Sequence, residues 1–467
     1  MINFILNNQE ITTRLPLDTK VLDFLRLQQN ITSVKPGCRT GNCGVCMILV
    51  GELYDDMICY RSANSCLLPL AEANAKHIVT VEGLSDSLSN PIQEAIADER
   101  AAQCGYCTPG MVISLTAFFL NSPSLTESLA TVALDGNLCR CTGYQSIKRV
   151  LSLLCQQFEL PDKNHRVPWL IGNQILPPYF SEIPQRLQKF TAPKTPLMPV
   201  SPNSTIVAGS TIPWQKDSSK PMVFLSQYKE LSYIRIEKNR CHVGATTTME
   251  VIKNSPVMRE LFPKIEKYFD KIASTPIRSR ATIGGNIVSA SPIHDLSIFF
   301  LGLGASVDLY DGQNQRTLRL KDFFKAYNQI DKKDDELVKG VHFSLPDAHV
   351  YFNFERVCKH SDSGIPSVNS AIWIRMNGNG LIQQIHLSAG GVAPIPLYLT
   401  KTADFLSDKE INAGIICEAG KIAQTEISPI SDIRGSVDYK RLLLRQLFYA
   451  HFITLFPKQI DNKELVQ

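Results

Sequence analysis

Apolar and polar residues alternate in the opening stretch of the chain, MINFILNNQEITTRLPL, and short β-rich runs with glycine turns continue to about residue 83. Such alternation is typical of half-buried strands. From residue 84 to residue 160, apolar positions recur at three- and four-residue spacing, which predicts helices. One helix is predicted just after Pro109-Gly110 and another after Thr142. Their apolar positions are Met111, Val112, Leu115, Phe118 and Phe119 in the first, and Ile147, Val150, Leu151, Leu154 and Phe158 in the second.

Prolines are concentrated between residues 161 and 202, where nine of the 27 lie. Proline lacks a backbone donor and disrupts helix interiors, so this density predicts an extended linker, which we place at residues 161–185. Beyond residue 203 the pattern is mixed. Strands are predicted at 341–345, 371–376 and 382–387, and helices at 249–261 and 439–456. The chain is therefore predicted to be an α+β multidomain protein.

Composition narrows the class of protein. The 467 residues are 44% hydrophobic and 20% charged, and the net charge of +4 is too small to indicate nucleic-acid or membrane binding. The N-terminus has no basic stretch before an apolar one, so we expect no signal peptide. The most apolar run, residues 296–305, is half of the roughly 20 residues that a membrane span needs. We expect a cytoplasmic protein.

The cysteines are clustered: ten of 13 lie before residue 156. An odd total with closely spaced pairs argues against disulfides and for metal. Cys38, Cys43 and Cys46 have the C-x4-C-x2-C spacing of plant-type [2Fe–2S] ferredoxins, on a glycine-containing loop that can fold back around the sulfurs. Cys59 and Cys66 compete for the fourth ligand, and we favour Cys66 because it follows a predicted strand and precedes a turn. Zinc is the alternative, but it usually takes two separated CxxC-type pairs.

A second set of cysteines comprises Cys104 and Cys107, in QCGYCTPG, and Cys139 and Cys141, in NLCRCTGY. Each pair directly precedes a predicted helix. Helix N-termini carry free N–H groups and a positive dipole end, which suit a cluster held by anionic thiolates. Taken alone, these pairs could hold zinc; the ferredoxin-like loop beside them favours a second [2Fe–2S] cluster.

Two glycine-containing segments are candidates for a nucleotide cofactor. IVAGST, residues 206–211, is a short apolar run that ends in small residues, and ATIGGNIVSASP, residues 281–292, has paired glycines and is followed by Asp295. Paired glycine lets backbone approach a diphosphate, and Asn286, Ser291 and Asp295 can bond sugar hydroxyls. A structural turn is the alternative. Neither segment is G-x-G-x-x-G, so a Rossmann site is not indicated.

These motifs together resemble the molybdenum hydroxylase family. GCRTGNCGVC and SCLLP are similar to its plant-type, β-grasp ferredoxin domain; QCGYCTPG and NLCRCTGY to its helical [2Fe–2S] domain; ATIGGNIVSASPIHD to its FAD-binding domain; and SPISDIRGSVDYKR to its flavoprotein C-terminal domain. The resemblance implies these four domains at residues 1–83, 84–160, 186–348 and 349–460, the last two α+β, with the linker at 161–185. Because no molybdenum domain follows, it resembles the small chain of two-chain bacterial enzymes.

The resemblance implies an electron-transfer role. A molybdenum–pterin cofactor on a large partner chain would oxidise hypoxanthine or xanthine, electrons would pass through the second and then the first cluster to FAD, and NAD would be the acceptor. Gln103 would lie near the pterin, and two small and two large chains would form a heterotetramer. The flavin contacts implied are Ile206, Val207, Ala208, Gly209, Ser210, Thr211, Ile212, Pro213, Thr282, Ile283, Gly284, Gly285, Asn286, Ser291, Asp295, Val338 and Arg356.

The sequence departs from the family pattern near the flavin, at Gly364, His360 and Leu397. These departures leave the electron acceptor open. Alternative functions are the same role in an enzyme that acts on an aldehyde or N-heterocycle, a stand-alone NADH-linked flavin/iron–sulfur reductase, and a zinc-stabilised interaction protein.

Overall fold

The computed structural model describes residues 1–54, 57–85, 90–190, 201–212, 220–359 and 364–465. Pro213 and His360, named above, lie outside the described residues. The strands are β1 (Ile2–Leu6), β2 (Gln9–Thr13), β3 (Met47–Tyr54), β4 (Met57–Asn64), β5 (His77–Val79), β6 (Thr205–Val207), β7 (Met222–Phe224), β8 (Ile234–Glu237), β9 (Arg240–Gly244), β10 (Ser306–Tyr310), β11 (Gln315–Arg319), β12 (Phe324–Ala326), β13 (Gln329–Ile330), β14 (Leu337–Ser344), β15 (Val350–Cys358), β16 (Pro366–Met376), β17 (Ile382–Gly390) and β18 (Leu397–Tyr398).

The α-helices are α1 (Val21–Leu27), α2 (Pro91–Asp98), α3 (Thr108–Asn121), α4 (Glu127–Ala133), α5 (Gln145–Gln157), α6 (Arg166–Gly172), α7 (Ile183–Gln188), α8 (Met249–Asn254), α9 (Pro256–Leu261), α10 (Ile265–Phe269), α11 (Thr275–Arg278), α12 (Ile283–Val288), α13 (Asp295–Gly302), α14 (Leu320–Phe323), α15 (Thr400–Leu406), α16 (Ala413–Glu426), α17 (Val437–Leu455) and α18 (Asn462–Leu465). No helix within the described ranges has the length and apolar character needed to cross a membrane.

The chain forms two compact units. The first comprises Met1–Thr195, Ser210–Ser218 and Ser274–Arg280, and the second comprises Pro196–Gly209, Ser219–Ala273 and Ala281–Gln467. The chain therefore passes between the units several times.

The first unit begins with a mixed sheet in the order β2-β1-β5-β3-β4, in which β1 and β5 are parallel. Helix α1 packs on this sheet through Leu22 and Leu25, which contribute to the same core as Phe4 and Ile48. A short helix on a mixed sheet is the β-grasp arrangement, so the predicted ferredoxin fold is confirmed. The sequence pattern did not predict α1, because seven residues hold too few turns to show helical periodicity.

The helices predicted after the Cys104/Cys107 pair and after the Cys139/Cys141 pair are confirmed as α3 and α5. The apolar positions predicted for α3 are all buried, and those of α5 are buried apart from Phe158, which follows the last helical turn. Met111 and Phe119 of α3 share a core with Met47 and Leu49 of β3. One continuous core therefore supports both cysteine-rich regions.

The prediction of an extended linker at residues 161–185 is wrong. This segment contains α6 and the start of α7, and Leu170, Phe180 and Ile183 are buried in the helical core. Arg166 fixes it further by donating hydrogen bonds to the carbonyls of Phe119 (2.8 Å) and Ser122 (3.1 Å). Prolines are tolerated in first helical turns, and the apolar residues between them supply the burial that holds the segment in place.

The second unit contains a sheet in the order β11-β10-β14-β9-β8 and another in the order β15-β16-β17-β18. Helix α13, the most apolar run of the sequence, packs on β16 and β17, and α17 packs on β15 and β16. The predicted strands correspond to β14, β16 and β17, although the first prediction runs one residue past the end of β14 at Ser344. The predicted helix at 439–456 matches α17. The helix predicted at 249–261 is divided into α8 and α9 at Ser255, whose hydroxyl caps α9 by accepting from Met258 N.

Candidate iron–sulfur and flavin sites

The first cysteine loop joins α1 to β3 and is folded around its own sulfurs. The backbone N–H of Cys38 donates to Cys43 Sγ (3.3 Å), and those of Thr40 and Asn42 donate to Cys38 Sγ (3.4 and 3.3 Å). A Cβ atom on Gly37 would lie 2.7 Å from Cys43 Sγ, so only glycine fits there. The predicted fold-back of the loop is therefore present.

The sulfurs of the first site approach one another in pairs, Cys38 with Cys43 within the loop and Cys46 with Cys66, which follows β4. Burial raises the pKa of Cys38, but hydrogen bonds from Thr40 and Cys43 outweigh it and lower that pKa to about 7. The hydrogen bond from Cys66 lowers the pKa of Cys46 to about 6 and raises that of Cys66. Cys59 instead lies opposite Glu52 on the β3–β4 pair. The structure thus places Cys66, and not Cys59, beside Cys46.

Asn64 is a buried residue of this region that the sequence did not single out. Its side chain is 1% exposed, and neither its amide nitrogen nor its oxygen makes a hydrogen bond with another described residue. The amide lies beside Cys46 and helps to lower the pKa of that thiol. A buried amide that lies beside Cys46 and has no other hydrogen-bond partner fits an anionic cluster bound at this place. Asn64 could have been identified from the sequence because it is a polar residue at the end of a strand, two positions before Cys66.

The second group of cysteines lies at two helix starts, as the sequence predicts. Cys107 directly precedes α3, and Cys139 and Cys141 lie just before α5. Cys104 Sγ and Cys141 Sγ are 3.6 Å apart, and Cys107 pairs with Cys139. Four sulfurs are therefore brought together by two helix N-termini.

The distances between the sulfurs can be compared with those that a zinc site requires. Zinc holds four thiolates at about 2.3 Å in a tetrahedron, which puts all of them within about 4 Å of each other. Among the described residues, no three cysteine sulfurs lie within 4.8 Å of one another. At each site the sulfurs meet as two separate pairs, the arrangement that a two-iron cluster with two thiolates on each iron requires.

The two cysteine-rich loops touch directly. Leu138 N donates to the carbonyl of Cys43 (3.0 Å), and the Asn137 side chain donates to the carbonyl of Gly44 (3.4 Å) while accepting from the Ser114 hydroxyl (2.7 Å). A Cβ on Gly44 would overlap the carbonyl oxygen of Gly136. We call these contacts the loop junction. At the loop junction, Cys43 and Cys139 are connected through the Leu138–Cys43 hydrogen bond and the single residue Leu138.

A short segment from much later in the chain packs against both loops. The backbone N–H of Thr275 donates to the Asp135 carboxylate (3.1 Å), and the fully buried Arg278 forms an ion pair with Asp135 at 3.7 Å. Ile277 lies against Gly41 of the first loop. Residues 274–280, immediately before the second flavin segment, thus belong structurally to the iron–sulfur unit.

The second cysteine site reaches the protein surface within its unit. Cys104, Cys141 and Gln103 are exposed. The large side chains next to them are also exposed: Tyr106 (44%), Leu138 (56%) and Tyr144 (38%).

The two flavin segments meet in the second unit at Ala208 and Gly285. A Cβ on Gly285 would lie 3.5 Å from Ala208 Cβ and 3.0 Å from the hydroxyl of Thr282. Thr282 caps α12 by accepting from Gly285 N (3.2 Å). Ile206 and Val207 belong to β6, which leads to Ala208 and Gly209. These two turns of small residues fit the close backbone approach that a dinucleotide diphosphate requires.

Ser210 has a positive φ of 53° and donates its hydroxyl to the carbonyl of Leu67 (3.1 Å), a contact within the first unit. Thr211 is half-buried and Ile212 is 49% exposed. The run predicted as one flavin segment is thus shared between the two units.

Other candidate flavin residues form hydrogen bonds within the protein or are buried in it. Gly284 N donates to the Ala245 carbonyl (2.8 Å) and Ile283 N to that of Thr247 (3.1 Å), while the Asn286 side-chain oxygen accepts from Ser297 N (3.0 Å). Ser291 is half-buried, and Val338 is buried within β14.

Asp295 and Arg356, predicted separately as flavin contacts, form a buried ion pair. Two guanidinium nitrogens lie 3.1 and 3.2 Å from the carboxylate, which also accepts from the Asn369 amide (2.8 Å). Arg356 also donates to the carbonyls of Lys271 and Gly364. Gly364, one of the departures from the family pattern, thus contributes to this network through its backbone. Leu397, another, pairs with Ala389 across β17 and β18.

The fold and the paired sulfurs define a protein with two [2Fe–2S]-binding domains followed by a flavin-binding region. Four domain families match the chain in sequence order. They are a 2Fe-2S iron–sulfur cluster binding domain (residues 4–70), a [2Fe-2S] binding domain (80–152), an FAD binding domain in molybdopterin dehydrogenase (181–346) and a CO dehydrogenase flavoprotein C-terminal domain (354–455). The chain is an iron–sulfur/FAD chain of the molybdenum hydroxylase family.

Individual relatives are similar to this chain over most of its length, at low sequence identity. Xanthine dehydrogenase from Oryza sativa subsp. japonica is 25% identical over 93% of this chain and 38% of its own length, and aldehyde oxidase 1 from Bos taurus is 26% identical over 96% and 39%. The chain thus spans about two-fifths of the length of these curated relatives. Among solved structures, carbon monoxide dehydrogenase from Hydrogenophaga pseudoflava superimposes with a TM-score of 0.51 at 21% identity, over 55% of this chain and 91% of that one, which shows the fold.

Proposed function

We propose that this chain is the electron-transfer small subunit of a xanthine dehydrogenase. In this proposal, electrons from a molybdenum centre on a partner chain, which oxidises hypoxanthine and xanthine to urate, reach NAD by way of this chain. The observation that carries the proposal is the loop junction, which joins Cys43 of the first site to Cys139 of the second through one hydrogen bond and one residue.

The proposed ligands are Cys38, Cys43, Cys46 and Cys66 for one cluster, and Cys104, Cys107, Cys139 and Cys141 for the other. The proposed flavin contacts remain Ile206–Pro213, Thr282–Asn286, Ser291, Asp295, Val338 and Arg356. When bound, the clusters supply one-electron redox chemistry and the flavin converts it to two-electron chemistry. The chain's own groups orient these cofactors and adjust their surroundings.

Two kinds of support come from the chain's own residues. Backbone N–H groups of Cys38, Thr40 and Asn42 already point at thiol sulfurs, and such donors stabilise negative charge on a cluster. The ion pair of Asp295 with Arg356 fixes the start of α13, which follows the second flavin segment in the chain. In this proposal the ion pair also holds the Asp295 and Arg356 side chains in place for the flavin contacts assigned to them.

The exposed face of the second site supports a partner chain. Aromatic and large apolar side chains are favoured in protein interfaces, and Tyr106, Leu138 and Tyr144, which are close in sequence to the exposed Cys104 and Cys141, are themselves exposed. We propose that the molybdenum-binding large subunit covers this face, with Gln103 toward its pterin, in a complex of two small and two large chains. A cytoplasmic setting would keep the thiols reduced for cluster assembly.

A second candidate is the same electron-transfer role in an enzyme that oxidises an aldehyde or an N-heterocycle. The similarity to aldehyde oxidase 1 is as high as that to xanthine dehydrogenase, which favours keeping this candidate. The iron–sulfur and flavin chemistry of this chain would be unchanged, because the partner would select the substrate. The domain boundaries at 83 and 348 belong to the proposal. The expected boundary at 160 moves to 185, because residues within 161–185 are buried in the helical core.

The test is co-expression with the partner chain followed by metal and flavin analysis and a substrate panel. Four irons and one FAD per chain are expected, with molybdenum only when the partner is present and NAD-linked xanthine oxidation only in the complex. Oxidation of xanthine by this chain alone would refute the proposal, and activity only on aldehydes would select the second candidate.

A pair of cysteine variants tests the ligand assignment. Cys66→Ser should lower iron to about two per chain and remove one of the two electron paramagnetic resonance signals seen after reduction. Cys59→Ser is the matched control and should keep both signals. Equal behaviour of the two variants would contradict the assignment of Cys66.

A further inference from the structure

The sheet β11-β10-β14-β9-β8 in the second unit has an apolar face and a polar face. Cys241, Val243, Val307 and Val341 are buried on the first. On the opposite face, His242 of β9 pairs directly with His342 of β14, and Asp308 of β10 lies diagonally next to His342. Three neighbouring strands thus bring two imidazoles and one carboxylate together, and none of these three residues belongs to the cysteine sites or the flavin segments described above.

The three side chains converge closely. His342 Nδ1 is 3.1 Å from Asp308 Oδ2, the two imidazole rings are 5.0 Å apart at their centroids, and one potential ligand atom from each residue lies within 4.8 Å of the other two. Ligands bound at about 2.0–2.1 Å to one ion are roughly 3–3.4 Å apart. The His342–Asp308 distance already meets this requirement, and His242, which is half-buried, has the freedom to close the remaining gap.

The surroundings orient these groups. Thr317 donates its hydroxyl to the other oxygen of Asp308, so one carboxylate oxygen is held by the protein and the second faces the histidines. Asp308 and His342 are 7% and 6% exposed, whereas His242 borders solvent. Hydrogen-bonded carboxylates behind a half-open face are a common feature of protein metal sites.

We propose that His242, Asp308 and His342 form a binding site for a divalent transition-metal ion of the zinc class, separate from the iron–sulfur clusters. Two imidazoles and a carboxylate match the ligand preference of zinc and its first-row neighbours, whereas Mg²⁺ and Ca²⁺ prefer oxygen alone. Three protein ligands leave at least one coordination position open to water or another small ligand.

Arg240 gives the proposal a distinctive consequence. Its guanidinium lies 3.3 Å from His342 Nε2, which can accept from it only while the ring proton is on Nδ1, facing Asp308. A metal ion on Nδ1 moves that proton to Nε2, where it would oppose the guanidinium. The Arg240 side chain is exposed and can turn away, but its contact and its charge both oppose binding. Removing it should therefore strengthen the site.

The test uses the full-length chain with its iron in place and Zn²⁺ as the probe. Equilibrium dialysis with zinc and iron measured together should show one zinc per chain with no loss of iron. Zinc X-ray absorption should show nitrogen and oxygen ligands and no sulfur at about 2.3 Å. His242→Gln, which alters the half-buried ligand, should weaken binding by about 100-fold or more, since even outer-shell changes cost 10–100-fold. His349→Gln, at an exposed histidine outside the cluster, is the control and should bind as the wild type does.

Arg240→Gln should tighten zinc binding several-fold relative to wild type. The proposal is overturned if His242→Gln and wild type take up zinc equally, if sulfur appears in the zinc shell with loss of iron, or if no zinc is retained. Asp308→Asn provides a second ligand change, and circular dichroism of each variant shows whether it is folded.

Discussion

Substitution of Gly44 by alanine tests whether the loop junction holds the two cysteine sites together. Gly44 has φ of +70°, and an added Cβ would overlap the Gly136 carbonyl oxygen and lie 2.6 Å from the Asn137 amide. Both neighbours belong to a loop fixed by the Leu138–Cys43 hydrogen bond. The methyl group must therefore push the loops apart.

The magnitude follows from three costs. A non-glycine residue in the left-handed region costs about 1–2 kcal/mol, overpacking against backbone costs about 1–3 kcal/mol, and loss of the inter-loop hydrogen bond costs about 1 kcal/mol. Gly44→Ala should therefore destabilise the iron–sulfur unit by about 4 kcal/mol. For a unit of this size, 1 kcal/mol corresponds to roughly 2–4 °C, so its thermal midpoint should fall by about 8–16 °C.

Gly105→Ala is the matched control, because Gly105 has φ of +74° and an added Cβ would meet no atom within 4 Å. It carries only the backbone cost of about 1–2 kcal/mol. Thermal bleaching of the cluster absorbance compares the two variants, and electron paramagnetic resonance of the reduced protein reports the magnetic interaction between the clusters, which should weaken only in Gly44→Ala. Equal melting and equal spectra for the two variants would refute the reasoning.

Three further predictions concern other residues. Asn64→Leu removes a buried amide beside Cys46 and should lower the reduction potential of the first cluster by about 40 mV, the equivalent of one hydrogen bond of about 1 kcal/mol; potentiometric titration measures it, and an unchanged potential would show that the amide does not act on the cluster. Burial lowers the pKa of His77 to about 3, below its ordinary value of 6.5, so the unfolded chain takes up a proton between these values that the folded chain does not. Stability should therefore fall as the pH drops from about 6.5 toward 3, and His77→Gln should flatten this dependence in melts recorded across that range; an identical slope in the variant would contradict the prediction. Asp135→Asn breaks the ion pair with buried Arg278 and should cost about 3 kcal/mol, whereas Glu99→Gln, in an exposed pair, should cost at most about 1 kcal/mol; similar melting temperatures for these two variants would count against a structural role for residues 274–280.

Local sequence patterns were sufficient to predict features whose residues all lie within a short stretch of the chain. The C-x4-C-x2-C loop and the helix that begins at Thr108 were predicted because spacing and apolar repeats identify them within about 15 residues. Cys66 was preferred over Cys59 from its position at a strand end, and the structure places it beside Cys46. The resemblance to a known family added the order of the domains.

Contacts between distant residues were not predictable in this way. The hydrogen bond from Leu138 to Cys43 joins residues 95 positions apart, and no local pattern specifies it. Asp295 and Arg356 were both singled out, but their pairing with each other depends on how α13 packs on the second sheet. The proline-dense segment at 161–185 was mispredicted because proline density says nothing of the buried surface available to Leu170 and Phe180.

Residues 274–280 limit how this chain can be divided. A fragment that stops at Thr195 would keep every cysteine of the two sites but lose the helix that neutralises Asp135 and covers Gly41. It would leave a carboxylate without its buried guanidinium and an apolar surface open beside the first site. The iron–sulfur unit of this chain is therefore complete only when residues 274–280 are present.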